Sequence, residues 1–159
     1  MTPEKYILLH DIRSVHNVGS IFRTADAAGI TKIFLSGYTP TPLDRFGREV
    51  QELSKVALGG ENSVLWEQIK NPTSTIKKLK NAGVFVVGIE QDKRSLDYKK
   101  VKVSKKQSVL FIVGNEVDGV PKNILKKCDV IAEIKMNGTK ESLNVGVSLG
   151  IALFRILNI

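Results

Sequence analysis

Short apolar runs alternate along this chain with stretches of helical periodicity. The runs Tyr6 to His10, Lys32 to Ser36, Val84 to Glu90, Val109 to Val113 and Val130 to Ile134 are rich in Val, Ile and Phe, the pattern of strands buried on both faces. Between them, helices are predicted over Val18 to Ala28, Gln51 to Leu58, Thr73 to Asn81, Pro121 to Lys127 and Leu143 to Leu157. Start and stop residues agree with these bounds: Gly29 follows the first helix, Asn81 and Gly83 close the third, and Pro121 suits a first helical position. Strand and helix in alternation predict an α/β fold, a parallel sheet with helices on both faces. In the last helix Leu143, Val147, Ile151 and Phe154 form one stripe, while Val145, Leu149, Leu153 and Ile156 fill the other sides. That helix is expected to be buried all round.

Composition narrows the setting. With 159 residues and 42% hydrophobic content, residues 1–159 are expected to form one globular domain with no room for a second. The formal charge of +8 creates a cationic field that favours polyanionic partners without giving sequence specificity. One cysteine, Cys128, excludes an intramolecular disulfide and a multi-cysteine zinc site, so a reducing cytoplasm is the expected setting and no metal is expected. No apolar run approaches the roughly 20 residues that span a bilayer, and the first residues lack a signal-peptide core.

Three polar islands stand where a strand gives way to a loop or helix, the places where doubly wound sheets bind ligands. The first, His16 to Arg23, has Asn17 where it would cap a helix starting near Val18, and Arg23 one to two turns further, off the apolar stripe. Arg23 then needs an anionic partner or water. The second, Gly114 to Gly119, follows the strand VLFIV; its glycines would let backbone approach a ligand, but the spacing matches no phosphate-binding loop. Glu116 there would accept from a ligand amine or pair with an arginine such as Arg23. The third, Ile134 to Ile156, sets Ser142 and Asn144 at the mouth of the last helix, where Gly146 and Gly150 permit close approach of another backbone, within the chain or across a subunit interface.

Two basic stretches lie outside these islands. The Pro-, Thr- and Gly-rich segment from Ser36 to Asp44 leads into Arg45, Phe46 and Arg48, a cation and aromatic set that would grip phosphate and stack on a base. The plainer reading is a solvated loop with one buried Phe. Lys99, Lys100, Lys102, Lys105 and Lys106 form either a solvated face or a backbone-phosphate contact.

The three islands together resemble the SpoU (TrmH-like) branch of the SPOUT RNA methyltransferases. NVGSIFRTADAAG looks like the first motif, FIVGNEVDGV the second and IKMNGTKESLNVGVSLGIALFRI the third, with SKVALGGE similar to the linker between them. The resemblance implies a knotted, Rossmann-like parallel sheet with a C-terminal trefoil knot, a homodimer, S-adenosylmethionine as methyl donor and a ribose 2′-hydroxyl of tRNA or rRNA as acceptor. Periodicity alone would not predict the knot, since threaded chains are nearly absent among folds. Carried over by position, the catalytic set falls on Asn17, Arg23, Glu116, Ser142 and Asn144, and the cofactor set on Gly114, Ile134, Met136 and Leu143. RNA contacts would come from Arg23, Arg45 and Arg48.

The implied chemistry is in-line methyl transfer from a sulfonium to the 2′-oxygen, where alignment supplies much of the gain. A guanidinium is a poor base. Arg23 is therefore expected to hold the adjoining phosphate and polarise the hydroxyl, with Ser142 and Asn144 orienting the ribose and Glu116 holding Arg23 or Asn17. Two positions depart from the family pattern: Lys135 stands where Pro is common and Gly146 where Ser is common. No added RNA-binding domain is expected. The competing reading is a catalytically silent RNA-binding protein that retains the fold.

Overall fold

The computed structural model describes residues 2–159. In chain order the elements are β1 (Lys5–His10), α1 (Val15–Ala27), β2 (Lys32–Ser36), α2 (Gln51–Ala57), α3 (Gly60–Ser63), β3 (Leu65–Ile69), α4 (Pro72–Asn81), β4 (Phe85–Ile89), β5 (Leu96–Asp97), a 3-10 turn at Tyr98–Lys100, β6 (Val109–Val113), α5 (Lys122–Leu125), β7 (Val130–Glu133) and α6 (Val145–Leu157). The strands form one sheet in the order β3-β2-β1-β6-β4-β7-β5, with every pairing parallel.

Alternation along the strands divides the core in two. Ile7, Leu9, Ile33, Leu35, Phe111 and Val113 face one side, where Ile21 and Phe22 of α1, Leu53 of α2 and Leu149 and Leu153 of α6 cover them. Leu8, Phe34, Val86, Leu110 and Ile112 face the other, under Ile76 of α4 and Ile124 of α5. This two-sided cover is why β1 and β6 read as continuous apolar runs. The sheet order reverses between β1 and β6, so the helices diverge there and leave a crevice at the strand ends.

The five predicted strands are present, and two more flank them. β3 is a half-exposed edge strand whose Glu67 meets Lys32 at 2.6 Å, and its polar sequence hides it from a search for apolar runs. β5 is two residues long.

Several local expectations are corrected. Asn17 is not the cap of α1: Ser14 is, its hydroxyl accepting from the Asn17 N–H, and the helix begins at Val15. Pro121 precedes α5 as its cap residue, with ψ 146, outside the helical region. Nor is α6 buried all round. Leu149, Ala152, Leu153 and Ile156 are buried, but Val147 is 51% exposed and Leu143, Ile151 and Phe154 are exposed too. Sequence hydrophobicity records that a face is apolar, not which molecule covers it. Gly146 and Gly150 face α1, where a Cβ would make ordinary contacts at 3.7 Å from Ile21 and 3.5 Å from Thr24. Among the described residues no helix is long and apolar enough to cross a membrane.

Candidate active site

A cavity of about 540 Å³ opens at the carboxyl ends of β4, β6 and β7. Ile89, Val113, Ala132, Ile134, Met136 and Leu143 supply its apolar wall, and Glu90, Glu116 and Glu141 supply carboxylates. No Lys, Arg or His lines it, despite the chain's net charge of +8. It is therefore shaped for a partly apolar ligand and biased by charge toward a cation. Gly114, Ile134, Met136 and Leu143, the four positions expected to hold a cofactor, all line it, as do Glu116, Ser142 and Asn144. Lys135, exposed between Ile134 and Met136, does not.

The glycines of the loop after β6 are required by the chain's own packing. A Cβ on Gly114 would stand 2.3 Å from the Gly119 carbonyl oxygen, and one on Gly119, whose φ is +70°, 2.2 Å from Glu90 Oε2. They let the loop close on itself and on Glu90, and both also line the cavity. Glu90 in turn accepts from the Val120 N–H at 2.9 Å and the Gln91 N–H at 2.8 Å, tying the end of β4 to that loop.

Three of the motif side chains form one relay. Glu116 Oε1 accepts from Asn17 Nδ2 at 3.0 Å and from the Ser14 N–H at 3.1 Å, while its Oε2 accepts from the Arg13 N–H at 3.0 Å. Asn17 Oδ1 accepts from Asn144 Nδ2 at 3.0 Å, and Asn144 Oδ1 caps α6 by accepting from the Gly146 and Val147 N–H groups. Residues distant in sequence thus join α1, the β6 loop and the start of α6. Burial pushes the Glu116 carboxyl up, but the N–H groups of Arg13 and Ser14 and the Asn17 amide outweigh it and hold the group below its ordinary value. A Cβ at Gly146 would come within 3.3 Å of Asn144 Oδ1, so glycine here gives the capping oxygen room that a serine would restrict.

Arg23 stands apart. It is exposed, lies outside the cavity lining and has no hydrogen-bond or ion-pair partner among the described residues, so Glu116 holds Asn17 and not Arg23. Six residues beyond Asn17, it sits about 9 Å further along α1 and roughly a third of a turn away. Ser142 is exposed at the cavity mouth, and its hydroxyl makes no hydrogen bond among the described residues.

The loop between β2 and α2 also differs from expectation. Phe46 is 66% exposed, not buried, and the Arg45 and Arg48 guanidinium carbons lie 4.7 and 4.9 Å from its ring centroid. Arg48 is paired to Asp44 at 2.8 Å, whereas Arg45 has no carboxylate partner among the described residues. Lys99, Lys100, Lys102, Lys105 and Lys106 are all exposed, and Lys105 and Lys106 precede β6 at the sheet end opposite the cavity. Sequence reasoning did not single out Tyr38, Glu90 or Asn115; the last, directly after Gly114 in the second polar island, is a buried amide. No group of three or more His, Cys, Asp or Glu residues converges as a metal site among the described residues.

Comparison with known proteins places these features in a group. The model of the SpoU rRNA Methylase family matches residues 4–154. The 23S rRNA (guanosine-2'-O-)-methyltransferase RlmB of Neisseria meningitidis serogroup B is 32% identical over 151 residues, which is 95% of this chain and 57% of that protein. The chain spans 55% to 58% of the length of such curated relatives. Among solved structures, the AdoMet-bound rRNA methyltransferase of Sinorhizobium meliloti superposes with a TM-score of 0.87 at 30% identity, covering 99% of this chain and 57% of that one. The TrmH/SpoU tRNA modifying enzyme of A. aeolicus gives 0.83 at 25%, covering 98% and 74%.

Proposed function

The chain belongs to the SpoU rRNA methylase family, and from that premise we propose that it methylates a ribose 2′-hydroxyl of RNA with S-adenosylmethionine. The observation that carries this reading is the cavity: its apolar residues suit an adenosyl group, and three lining glutamates with no lining Lys, Arg or His favour a positively charged sulfonium. The cofactor supplies an electrophilic methyl group on a positively charged sulfur. Ile134, Met136 and Leu143 would enclose it, with Gly114 offering backbone. The names of relatives at 30% identity and above support ribosomal RNA as the acceptor, and transfer RNA is the other substrate class within the family.

Each residue's work follows from its bonds. Asn17 and Asn144 fix the cavity's walls through the relay, and Asn144, exposed at the cavity with a second amide hydrogen available, also helps to orient the ribose. Ser142, with a hydroxyl available at the mouth, orients the acceptor. Arg23, exposed and without a carboxylate to neutralise it, holds the phosphate beside the acceptor ribose and polarises the hydroxyl. Arg45 binds backbone phosphate further along, while Arg48 braces the loop through Asp44. Alignment of acceptor and donor supplies the largest part of the rate gain.

The assembly in this reading is a homodimer whose partner covers the α6 stripe of Val147, Ile151 and Phe154, supported by the exposure of that stripe. Residues 1–159 act as one catalytic domain in the cytoplasm, and the segment between β7 and α6 threads the β6 loop as a trefoil knot. Contacts of the two segments with shared neighbours support the last point: Glu90 and Gln91 are adjacent, and while Glu90 grips the β6 loop, Gln91 Nε2 donates to the Glu141 carbonyl at 2.8 Å. Calorimetric titration tests the reading. S-adenosylmethionine should release or absorb heat with a one-to-one endpoint per chain; absence of binding with and without RNA would favour a silent RNA-binding protein.

A further inference from the structure

We propose that Tyr38 is a fixed platform on which a nucleobase of single-stranded RNA stacks at the cavity rim. This rests on the reading of the chain as an RNA methyltransferase and adds a residue that selects substrate. Tyr38 leaves the carboxyl end of β2 with 59% of its surface exposed. Large exposed rings normally turn freely and lose that freedom on binding. This one is held at both ends. Its backbone N–H donates to Asp11 Oδ1 at 3.1 Å, and its hydroxyl accepts from Asn115 Nδ2 at 2.8 Å.

The support beneath it is specific. Asn115 is buried, donates also to the Asp11 carbonyl at 3.0 Å, and accepts from the Val117 and Asp118 N–H groups at 2.8 Å. Gly37 has φ +65°, and a Cβ there would fall 1.7 Å from Asp11 Oδ1, so the turn that delivers Tyr38 closes only over glycine. Asn115 lines the cavity, which places the hydroxyl end of Tyr38 at its edge. Because that hydroxyl accepts from Asn115, its own hydrogen remains available to donate outward.

The surroundings favour RNA over an apolar partner. Arg13, exposed, lines a second cleft of about 350 Å³ with Ser14, Glu116 and Val117, sharing Glu116 and Val117 with the main cavity. Arg45 stands on the same β2–α2 segment as Tyr38, and the chain carries +8 overall. An exposed aromatic face on a strongly cationic protein suits uptake of unpaired bases, whereas a duplex keeps its base faces stacked inside.

Fluorescence titration of a short single-stranded RNA of mixed sequence carrying 2-aminopurine tests this, alongside calorimetry with S-adenosylmethionine. Tyr38→Ala should weaken RNA binding at least about fivefold and abolish the quenching of 2-aminopurine, while Tyr38→Phe, which keeps the ring but loses its tie to Asn115, should lose clearly less than the Ala variant and keep the quenching. Cofactor affinity should be unchanged in both. The proposal is overturned if the Phe variant loses as much as the Ala variant, if cofactor affinity falls with RNA affinity, if the corresponding duplex binds more tightly than the single strand, or if wild type does not bind the probe. Quenching that depends on Tyr38 in a protein that transfers no methyl group would sink the methyltransferase reading and leave Tyr38 standing. Methyl transfer with Tyr38→Ala binding normally would do the reverse.

Discussion

At the scale of single residues the account depends on Glu116 as the ionised end of a relay through Asn17 to Asn144. Glu116→Gln sets an amide donor against one of the groups that now donate to the carboxylate, and it should cost about 1–3 kcal/mol at pH 7 by urea denaturation. The sign with pH follows from the depressed carboxyl. Its contribution is complete above the ordinary value of 4.5 and is lost as pH falls through the lower value of the folded protein, so wild type and variant should converge in acid. A gap that stayed constant from pH 7 to pH 3 would mean that the charge of Glu116 is immaterial. Arg23 is the second point. Arg23→Lys keeps the charge but loses the planar fork, and methyl transfer should fall at least tenfold on the scale of about 1.4 kcal/mol, with cofactor affinity unchanged. Turnover at the wild-type rate with RNA bound normally would remove the bidentate role.

At the scale of elements, α6 carries the sharpest expectation. Its inner face packs on α1 and the sheet, and its outer face leaves Val147, Ile151 and Phe154 exposed. Ile151→Asp with Phe154→Asp should convert a dimer to a folded monomer by sedimentation, with helix content preserved; a wild-type monomer at the same concentration would contradict the dimer. The strands over Lys32–Ser36 and Val109–Val113 were legible to the residue because both faces are covered: Val109–Val113 is apolar throughout, and Ile33, Phe34 and Leu35 form the apolar centre of the other. β3 was not, because an edge strand with one open side carries Glu67 and Gln68 like a loop. The sequence pattern pointed to Asn17 as the cap of α1 where the structure has Ser14, since both are capping types and only the chain's path chooses between them. For the site, the four expected cofactor positions and Glu116, Ser142 and Asn144 were legible through motif order and do converge on one cavity. Tyr38, Asn115 and Glu90 were not, because their importance lies in bonds between loops far apart in sequence.

For the whole molecule, a net charge of +8 surrounds a cavity lined by three glutamates and no Lys, Arg or His, so a polyanion would be drawn to one part of the protein and a cation to another. The sheet order sets the cavity at the carboxyl ends of the strands, where the relay joins α1, the β6 loop and the start of α6. The central claim is transfer of a methyl group to a ribose. The most direct test is to incubate the purified protein with methyl-labelled S-adenosylmethionine and RNA from cells lacking the gene, then digest the RNA with alkali. The account predicts label in alkali-resistant dinucleotides, because a methylated 2′-oxygen blocks cleavage of its phosphodiester. Label confined to mononucleotides, or none above background, would contradict it.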